Sequence, residues 1–451
     1  MATWTQTSLA RSGSIGRLDA EYYQPHYIAL SERLDRTTWV RLGTVAYVTD
    51  GIHASPDVVD QGGVRYLSAK CVKDNDFALQ DTLLISDAQH AANRRTQVRV
   101  EDLVLTTVGT IGNVAVIQDD MIPANADRHL GIIRLKTDAD LDPYYVSTFL
   151  NCRFGRFQTL RESTGNVQLN LFIEKINGLR VPRLTVADEI AASTRRAYRI
   201  RARALDFYGQ AQSRLMGALG LGELDMAPEL CYERNFADVA EAGRFDAEYY
   251  QPAKWRILEA IAQMPGRPVA DAYEPVRNLF QPHEAQPADV VRNYDLSDAL
   301  LPFLDDSVDP MIAASIGSTK KRLEPGDLVV SRLRSYLREI AVVLPSGPEP
   351  LVGSTEFIVL RPTANSISPE ALLVYLRSPY VQTILMWCQD GSNHPRFRDK
   401  ELFALSVPRV VEELQDELAD LMRQAIDSRR ESRRLLDQAK ATVEAAIDEH
   451  A

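Results

Sequence analysis

The decapeptide GRLDAEYYQP at Gly16–Pro25 returns at Gly243–Pro252 as GRFDAEYYQP, with only Leu18 exchanged for Phe245. From position 16 to position 243 the shift is 227 residues, about half of the 451 in the chain. Solenoid and propeller units repeat every 20–50 residues or so, so a period this long makes the chain a tandem of two similar domains. Further landmarks keep the register. EDLVLTT (Glu101–Thr107) faces GDLVVSR (Gly326–Arg332), LRVPRL (Leu179–Leu184) faces LSVPRV (Leu405–Val410), and Gly165 faces Gly391 inside otherwise different text. Each half reads as a tag, a variable body, a V-P-R exit and a long polar helix. Landmarks that persist while the bodies differ imply one fold and one assembly role carrying two different recognition surfaces.

Met1–Ile15 is rich in Ser and Thr and aligns loosely with Leu230–Ala242, so the first copy is expected to begin at the N-terminus itself. Tyr23, Tyr27, Leu30 and Leu34, and Tyr250, Lys254, Ile257 and Ile261, recur at helical spacing and predict helices over Ala20–Leu34 and Ala247–Met264. Pro25 and Pro252 place the tag in a short turn or a first helical turn. Short β-branched runs separated by Gly, Asp and Pro, such as VAYVTDG, VRYLS, NVAVI and GIIRL in the first copy and DLVVSRL, IAVVL and FIVLRP in the second, predict strands. Helices are expected over Pro143–Leu160 and Pro369–Trp387, each followed by a loop, STGNVQLN (Ser163–Asn170) or DGSNHPRFRD (Asp390–Asp399). The expected fold class is α+β: two mixed α/β domains in tandem, each a mainly antiparallel sheet with helices at its edges, each followed by a long helix. The boundaries expected are 1–184 and 230–409 for the domains, 185–222 and 410–451 for the helices, and 223–229 for the linker.

Leu414, Leu418, Leu421, Ala425, Ser428, Ser432, Leu435, Ala439 and Val443 follow the alternating four-and-three spacing of a coiled-coil seam. Ile190, Ala197, Ala204 and Ala211, with Tyr208 and Leu215, form a less regular seam that Arg201 interrupts. Narrow seams on both helices predict that they pair with each other, as a rod of about 50 Å at about 1.5 Å per residue.

Composition excludes several classes. Hydrophobic residues at 45% and charged residues at 25% are ordinary for a globular protein. No apolar run approaches the roughly 18 residues of a membrane helix, and Met1–Gly16 lacks the pattern of a secretory signal, so a cytoplasmic protein is expected. Four scattered cysteines without a CxxC pair indicate neither a disulfide framework nor a zinc site, and the seven histidines, among them His53, His90, His129 and His394, show no metal-ligand spacing. DPYY (Asp142–Tyr145) reads as a proline opening a helix, and GTIGN (Gly109–Asn113) as a tight turn between strands rather than a phosphate loop. No catalytic constellation emerges.

The net charge of −11 weighs against indiscriminate nucleic-acid binding, which is largely phosphate neutralisation. The acid is unevenly placed: Val410–Ala451 carries 6 basic against 11 acidic residues. Basic residues also recur in register. Arg94-Arg95 faces Lys320-Lys321, which continues to Arg322, and both pairs precede the DLV strand. After that strand TTVGTIGN, with Thr107 and Asn113, faces SRLRSYLR, with Arg332, Arg334 and Arg338; strand alternation would put Arg332 and Arg334 on one face. Arg396 and Arg398 follow Gly391. These twelve are the candidate DNA-contacting residues, since Arg and Lys reach phosphates and guanine edges.

Two tag–body–exit–helix units, with D-A-E-Y-Y at each start, a G-D-L-V-like strand and a V-P exit into a long helix, resemble the specificity subunit of type I restriction–modification systems over essentially the whole chain. The resemblance implies that each body is a target recognition domain for one half of a split, asymmetric DNA site. It implies that the long helices pack as an antiparallel coiled coil spacing the half-sites, and that the chain, itself non-catalytic, docks two methyltransferase subunits, with restriction subunits added in those systems that also cleave. S-adenosylmethionine is then expected in the partner methyltransferase and no cofactor in this chain. The competing expectation is a coiled-coil scaffold in a phage-defence complex that does not read DNA.

Overall fold

In a computed structural model of the chain, Arg17 and residues 19–79, 82–165 and 168–450 are described. Met1–Ile15, with Gly16 and Leu18 of the first tag and Asn166 and Val167 of the first loop, lies outside the described residues. The chain is a mixture of helices and short strands that divides into two compact units, Met1–Arg201 with Arg430–Ala451, and Ala202–Arg429. Among the described residues no helix is long and apolar enough to cross a membrane.

The first unit is built on a four-stranded antiparallel sheet of β1 (Ala46–Asp50), β2 (Leu103–Thr106), β3 (Val114–Val116) and β4 (Leu130–Leu135), in the order β1-β4-β2-β3. All four residues of β2 are buried, because both faces of the sheet are covered. Strand side chains alternate between faces. Leu103, Leu105, Val114, Val116 and Ile133 accordingly pack with helices α1 (Pro25–Asp35), α2 (Pro143–Asn151) and α3 (Arg153–Glu162) through Leu34, Phe149, Phe154 and Phe157. Val104, Ala115, Leu130 and Ile132 pack on the other face against Leu67, Val72, Ala124 and Ala126. Removing each such aliphatic side chain from water stabilises by about 1.5–3 kcal/mol.

The second unit repeats the plan with a five-stranded sheet: β5 (Tyr273–Pro275), β6 (Phe303–Leu304), β7 (Leu328–Ser331), β8 (Ile340–Val343) and β9 (Phe357–Pro362), in the order β5-β9-β7-β8-β6. Leu328, Val330, Ile340, Val342, Ile358 and Leu360 face the helices α4 (Pro252–Ala262), α5 (Pro369–Leu376) and α6 (Pro379–Trp387), while Val329, Ala341, Val343, Phe357 and Val359 face a second layer. The sheets are not wholly antiparallel: β6 runs parallel to β8, and a parallel pair sits in the second layer of each unit, Val64–Leu67 with Ala124–Ala126 and Val290–Tyr294 with Leu351–Gly353.

The landmarks of the repeat are the places where charge is buried. Arg17 pairs with Asp19 at 2.6 Å and donates to the carbonyls of Arg161 and Glu162 at the end of α3, both at 3.3 Å, while Tyr23 Oη donates back to the Arg17 carbonyl. In the second unit Arg244 pairs with Asp246, donates to the carbonyls of Cys388 and Gln389 just past α6 at 2.8 Å, and receives Tyr250 Oη on its own carbonyl. The last carbonyls of a helix have no partner within the helix, and a cation there satisfies them and opposes the helix dipole. Hydrogen bonds from these arginines hold the Asp19 and Asp246 carboxyls below their usual range. Behind the tag each helix opens on proline, Pro25 or Pro252, where the missing N–H costs nothing. The aspartate of D-L-V is equally determined: Asp102 and Asp327, 2% and 1% exposed, pair with Arg134 and Arg361 on the neighbouring strand at 2.5 and 2.8 Å. Val181 and Val407 of the exits are buried, in short strands paired with Trp39–Arg41 and Gly266–Pro268.

The first long helix spans Ala187–Leu219 and the second Gln415–Glu449, 33 and 35 residues. In the first unit Ala197, Leu435, Ala439 and Val443 share one core, and Ser432 Oγ donates to the Ala197 carbonyl at 2.8 Å. In the second, Ala211, Leu215, Leu418 and Met422 share another, with Arg214 paired to Glu417 at 3.0 Å. Arg201, which interrupts the apolar spacing, is buried for a different purpose: it donates to the Asn75 carbonyl and pairs with Asp76 at 2.9 Å, gripping the hairpin of Val72–Lys73 and Asp76–Phe77, whose turn Lys440 holds through Asp74 at 3.0 Å.

Candidate nucleic-acid interface

At one end of each central sheet two loops are clipped together by the same backbone bonds. In the first unit the Thr107 N–H donates to the His129 carbonyl and the Thr107 carbonyl accepts from Leu171 N–H, both at 2.9 Å, while Thr164 and Asn170 close a loop by reciprocal bonds of 2.9 and 2.8 Å. In the second, Arg332 N–H donates to Glu356, its carbonyl accepts from Phe397, and Asp390 and Arg396 close the loop at 2.8 and 2.9 Å. Both closed loops turn on a glycine with positive φ, Gly165 at 129° and Gly391 at 99°, a conformation that glycine alone adopts freely.

In the first unit Thr107 and Asn113 are buried in this junction. Asn113 donates to the Val72 carbonyl at 3.2 Å and accepts from Arg156 at 2.6 Å. Arg94 and Arg95 are exposed in a 3-10 turn, Arg94–Thr96, that follows the helix Asp87–Ala92 capped by Ser86. Arg95 bonds the Thr49 hydroxyl and pairs with Asp50 at 2.7 Å. His53 also bonds Asp50, at 2.5 Å, and His129 bonds Asp127 at 3.0 Å. Against its burial, the hydrogen bonds from His53 and Arg95 hold the Asp50 carboxyl below its usual range. The bridge between Ile52 and Asp127 brings these two histidines to one sheet end, which their unrelated sequence contexts conceal.

In the second unit the loop junction collects cations. Arg332 pairs with Asp399 at 2.8 Å, Arg396 with Glu356 at 2.8 Å, and Arg334 reaches His394 Nδ1 at 3.3 Å and the Asn393 carbonyl at 3.4 Å. Lys321 is half-buried; burial, then the charge of Arg332, pushes its pKa down. Arg338 and Arg398 are exposed, with no side-chain partner among the described residues. Lys320 and Arg322 are engaged elsewhere: Lys320 is buried 3.6 Å from Asp295, and the Arg322 guanidinium lies 5.2 Å from the Phe280 ring centre. The aligned pairs also differ in backbone, since Lys320–Leu323 is a strand and Arg94–Thr96 is not. The expected alternation of Arg332 and Arg334 along a strand is not found. β7 stops at Ser331, because the Arg332 backbone turns aside to Glu356 and Phe397 and the Arg334 N–H is taken by the Pro395 carbonyl at 2.9 Å.

No family model and no curated protein matches the chain. Among solved structures, the type I restriction–modification S subunit from M. genitalium is similar over 92% of this chain and 96% of that one, at 11% identity and a TM-score of 0.42. The HsdS subunit from Thermoanaerobacter tengcongensis is similar over 92% and 97%, at 14% identity and 0.28. A chain from a study of complex assembly and conformational transition in the type I R-M system is similar over 91% and 96%, at 14% and 0.29. The first two of these structural neighbours are specificity subunits of type I restriction–modification systems.

The two junctions offer different chemistry. The first presents histidine and one paired arginine over a buried threonine and amide; the second presents a cluster of guanidinium groups, two of them on carboxylates at the protein surface. Exposed ion pairs contribute only about 0–1 kcal/mol, so such arginines exchange a carboxylate for another anion or an acceptor edge at little cost. Residues that sequence reasoning passed over, Glu356, Asp399 and His394 in the second unit and Asp50 and Asp127 in the first, are the partners that orient these donors. No motif marks them, because each is defined by what folds beside it.

Proposed function

We propose that this chain is a non-catalytic, cytoplasmic DNA-recognition subunit. Each unit's body reads one half of a bipartite, asymmetric double-stranded site, and the whole recruits two methyltransferase subunits to it, with restriction or translocase subunits joining in a system that also cleaves. The observation that carries the reading is the contrast within the repeat. Buried tag, D-L-V aspartate and clipped loop pair are held in common, while the side chains on those loops differ. A frame kept for assembly and a surface changed for reading is what two half-sites of unlike sequence require.

In this reading the bodies correspond to the target recognition domains expected over 1–184 and 230–409. The two long helices, about 50 Å each at 1.5 Å per residue, form an antiparallel coiled coil that spaces the bodies. That length corresponds to roughly 15 base pairs at 3.4 Å, an upper bound on the centre-to-centre distance of the half-sites. S-adenosylmethionine belongs to the partner methyltransferase.

The test is to sequence methylated bases in cells that carry the neighbouring methyltransferase, with and without an intact copy of this chain. A bipartite motif methylated only when the chain is present is expected, and exchange of either body should alter one half-site. If no motif depends on the chain, the DNA-recognition reading is wrong and a protein scaffold takes its place.

A further inference from the structure

The turn between β7 and β8 in the second unit does something that its counterpart between β2 and β3 avoids. Both turns close with the same bond, Thr106 N–H to the Asn113 carbonyl and Ser331 N–H to the Glu339 carbonyl, each at 2.9 Å. Both need two left-handed residues. The first turn meets that need with Gly109 and Gly112, at φ 76° and 84°; the second has Arg334 and Arg338 there, at φ 51° and 54°. An L-residue other than glycine costs roughly 1–2 kcal/mol in this region. A strain borne twice in five residues, at positions where glycine would carry none, marks the side chains as retained for what they contact. At Gly109 a Cβ would meet nothing within 4 Å, while Arg334 at the matching corner of the second unit is half-buried.

Glu339 supplies the second observation. It stands where Asn113 stands in the first unit, and it is 7% exposed. The Asn113 side chain is held by Arg156 of α3, whereas the position 226 residues after Arg156 is Gln382, a neutral residue whose amide nitrogen goes to the Leu376 carbonyl at 2.6 Å. Glu339 Oε2 is left without a hydrogen-bond partner, as is the buried Ser335 Oγ of the turn itself. Burial pushes the Glu339 carboxyl up, against the hydrogen bond from Ser331 and, more weakly, the charge of Arg334. Arg334 thus has a buried anion behind it, a backbone N–H fixed on Pro395, and only long contacts at its head, to His394 and Asn393.

We propose that Arg334 reads a guanine in the major groove of the second half-site, and that Glu339 is a positioning residue whose buried charge favours the guanidinium at this corner of the turn. This rests on the DNA-recognition reading and deepens it by naming the base. A guanidinium fork held through one nitrogen by His394 and Asn393 keeps donors for the paired acceptors O6 and N7 of guanine, whereas a phosphate needs only a charge nearby.

The decisive variant is Arg334→Gly, because glycine relieves the strained corner. The full chain, with its methyltransferase, is compared with wild type by sequencing methylated bases and by thermal unfolding. The expected result is unchanged or higher thermal stability, an unaltered first half-site, and about ten-fold or greater loss of discrimination at one guanine of the second. Glu339→Gln should relax the same position by a smaller factor. Undiminished discrimination throughout the second half-site overturns the proposal, as does an Arg334→Gly protein that unfolds more readily than wild type. A wild-type chain on which no bipartite motif depends overturns the DNA-recognition reading itself, a result distinguishable from either.

Discussion

The tag of the first unit and the tag of the second place a cation on the same tyrosine from different directions. Tyr22 carries the guanidinium of Arg161, from α3, at 4.0 Å from its ring centre; Tyr249 carries the ammonium of Lys254, from α4, at 3.3 Å. The residue 227 before Lys254 is Tyr27 and the residue 226 after Arg161 is Trp387, so the cation has changed helices between the copies. Arg17 and Arg244, by contrast, have not moved. A cation over a ring needs only to lie within about 6 Å of the ring centre, and several neighbouring positions meet that requirement. A guanidinium that must satisfy an aspartate and two helix-end carbonyls together has one position that works. The repeat therefore stays invariant where several hydrogen bonds converge and drifts where one non-directional contact suffices.

A charge placed in the helical core of one unit should disrupt that unit alone. Leu418→Asp in the second unit and Leu435→Asp in the first are each expected to cost about 4 kcal/mol. Hydrogen exchange should show protection lost in the unit that bears the charge; equal loss in both would contradict the two-unit division. Arg244→Ala should cost about 3–5 kcal/mol by leaving Asp246 and two carbonyls unpaired, and Arg17→Ala about 2–4. Denaturant unfolding of the two variants checks this, and a cost below 1 kcal/mol for both would remove the tag's structural explanation.

Arg201→Met probes a feature with no counterpart in the second unit. It should weaken the hairpin around Asn75 by about 1–3 kcal/mol, read as faster amide exchange there, with the second unit unaffected. A further effect concerns pH. Lys254 is 1% exposed, and burial lowers its pKa to about 8 from the usual 10.5. Between pH 8 and 10.5 the folded unit sheds a proton that the unfolded chain keeps, so stability rises with pH through that window. Lys254→Met should abolish the rise while changing stability near pH 7 by only about 1 kcal/mol. A rise that persists in the variant would assign it to another group.

Much of the frame was legible before any coordinates. The repeated tag, the D-L-V strand, the V-P exits and the two long helices follow from apolar period and register, and the glycine shared at positions 165 and 391 foreshadowed a shared turn. The candidate interface was legible only in part. Arg332, Arg334 and Arg396 do come to one loop junction, but Lys320 and Arg322, adjacent in sequence, are engaged elsewhere. The reason is that Lys320–Leu323 became a strand held by Leu351–Gly353, which fixes its side chains by pleat rather than by proximity to the turn. Arg201, read as a flaw in the seam, proved to be a buried link because the hairpin it grips lies 126 residues earlier in the chain.

What the residues carried alone is the repeated text and the order of elements expected within each copy, since those depend on local periodicity and on text repeated in register. What only the tertiary structure decided is which charges are satisfied and by what. Arg17 and Arg244 find helix-end carbonyls about 145 residues away, Asn113 finds Arg156, and Glu339 finds no such partner. Hydrogen bonding and burial act over a few ångströms in space with no regard for distance along the chain, so a sequence can present the donors and acceptors without saying which of them will meet.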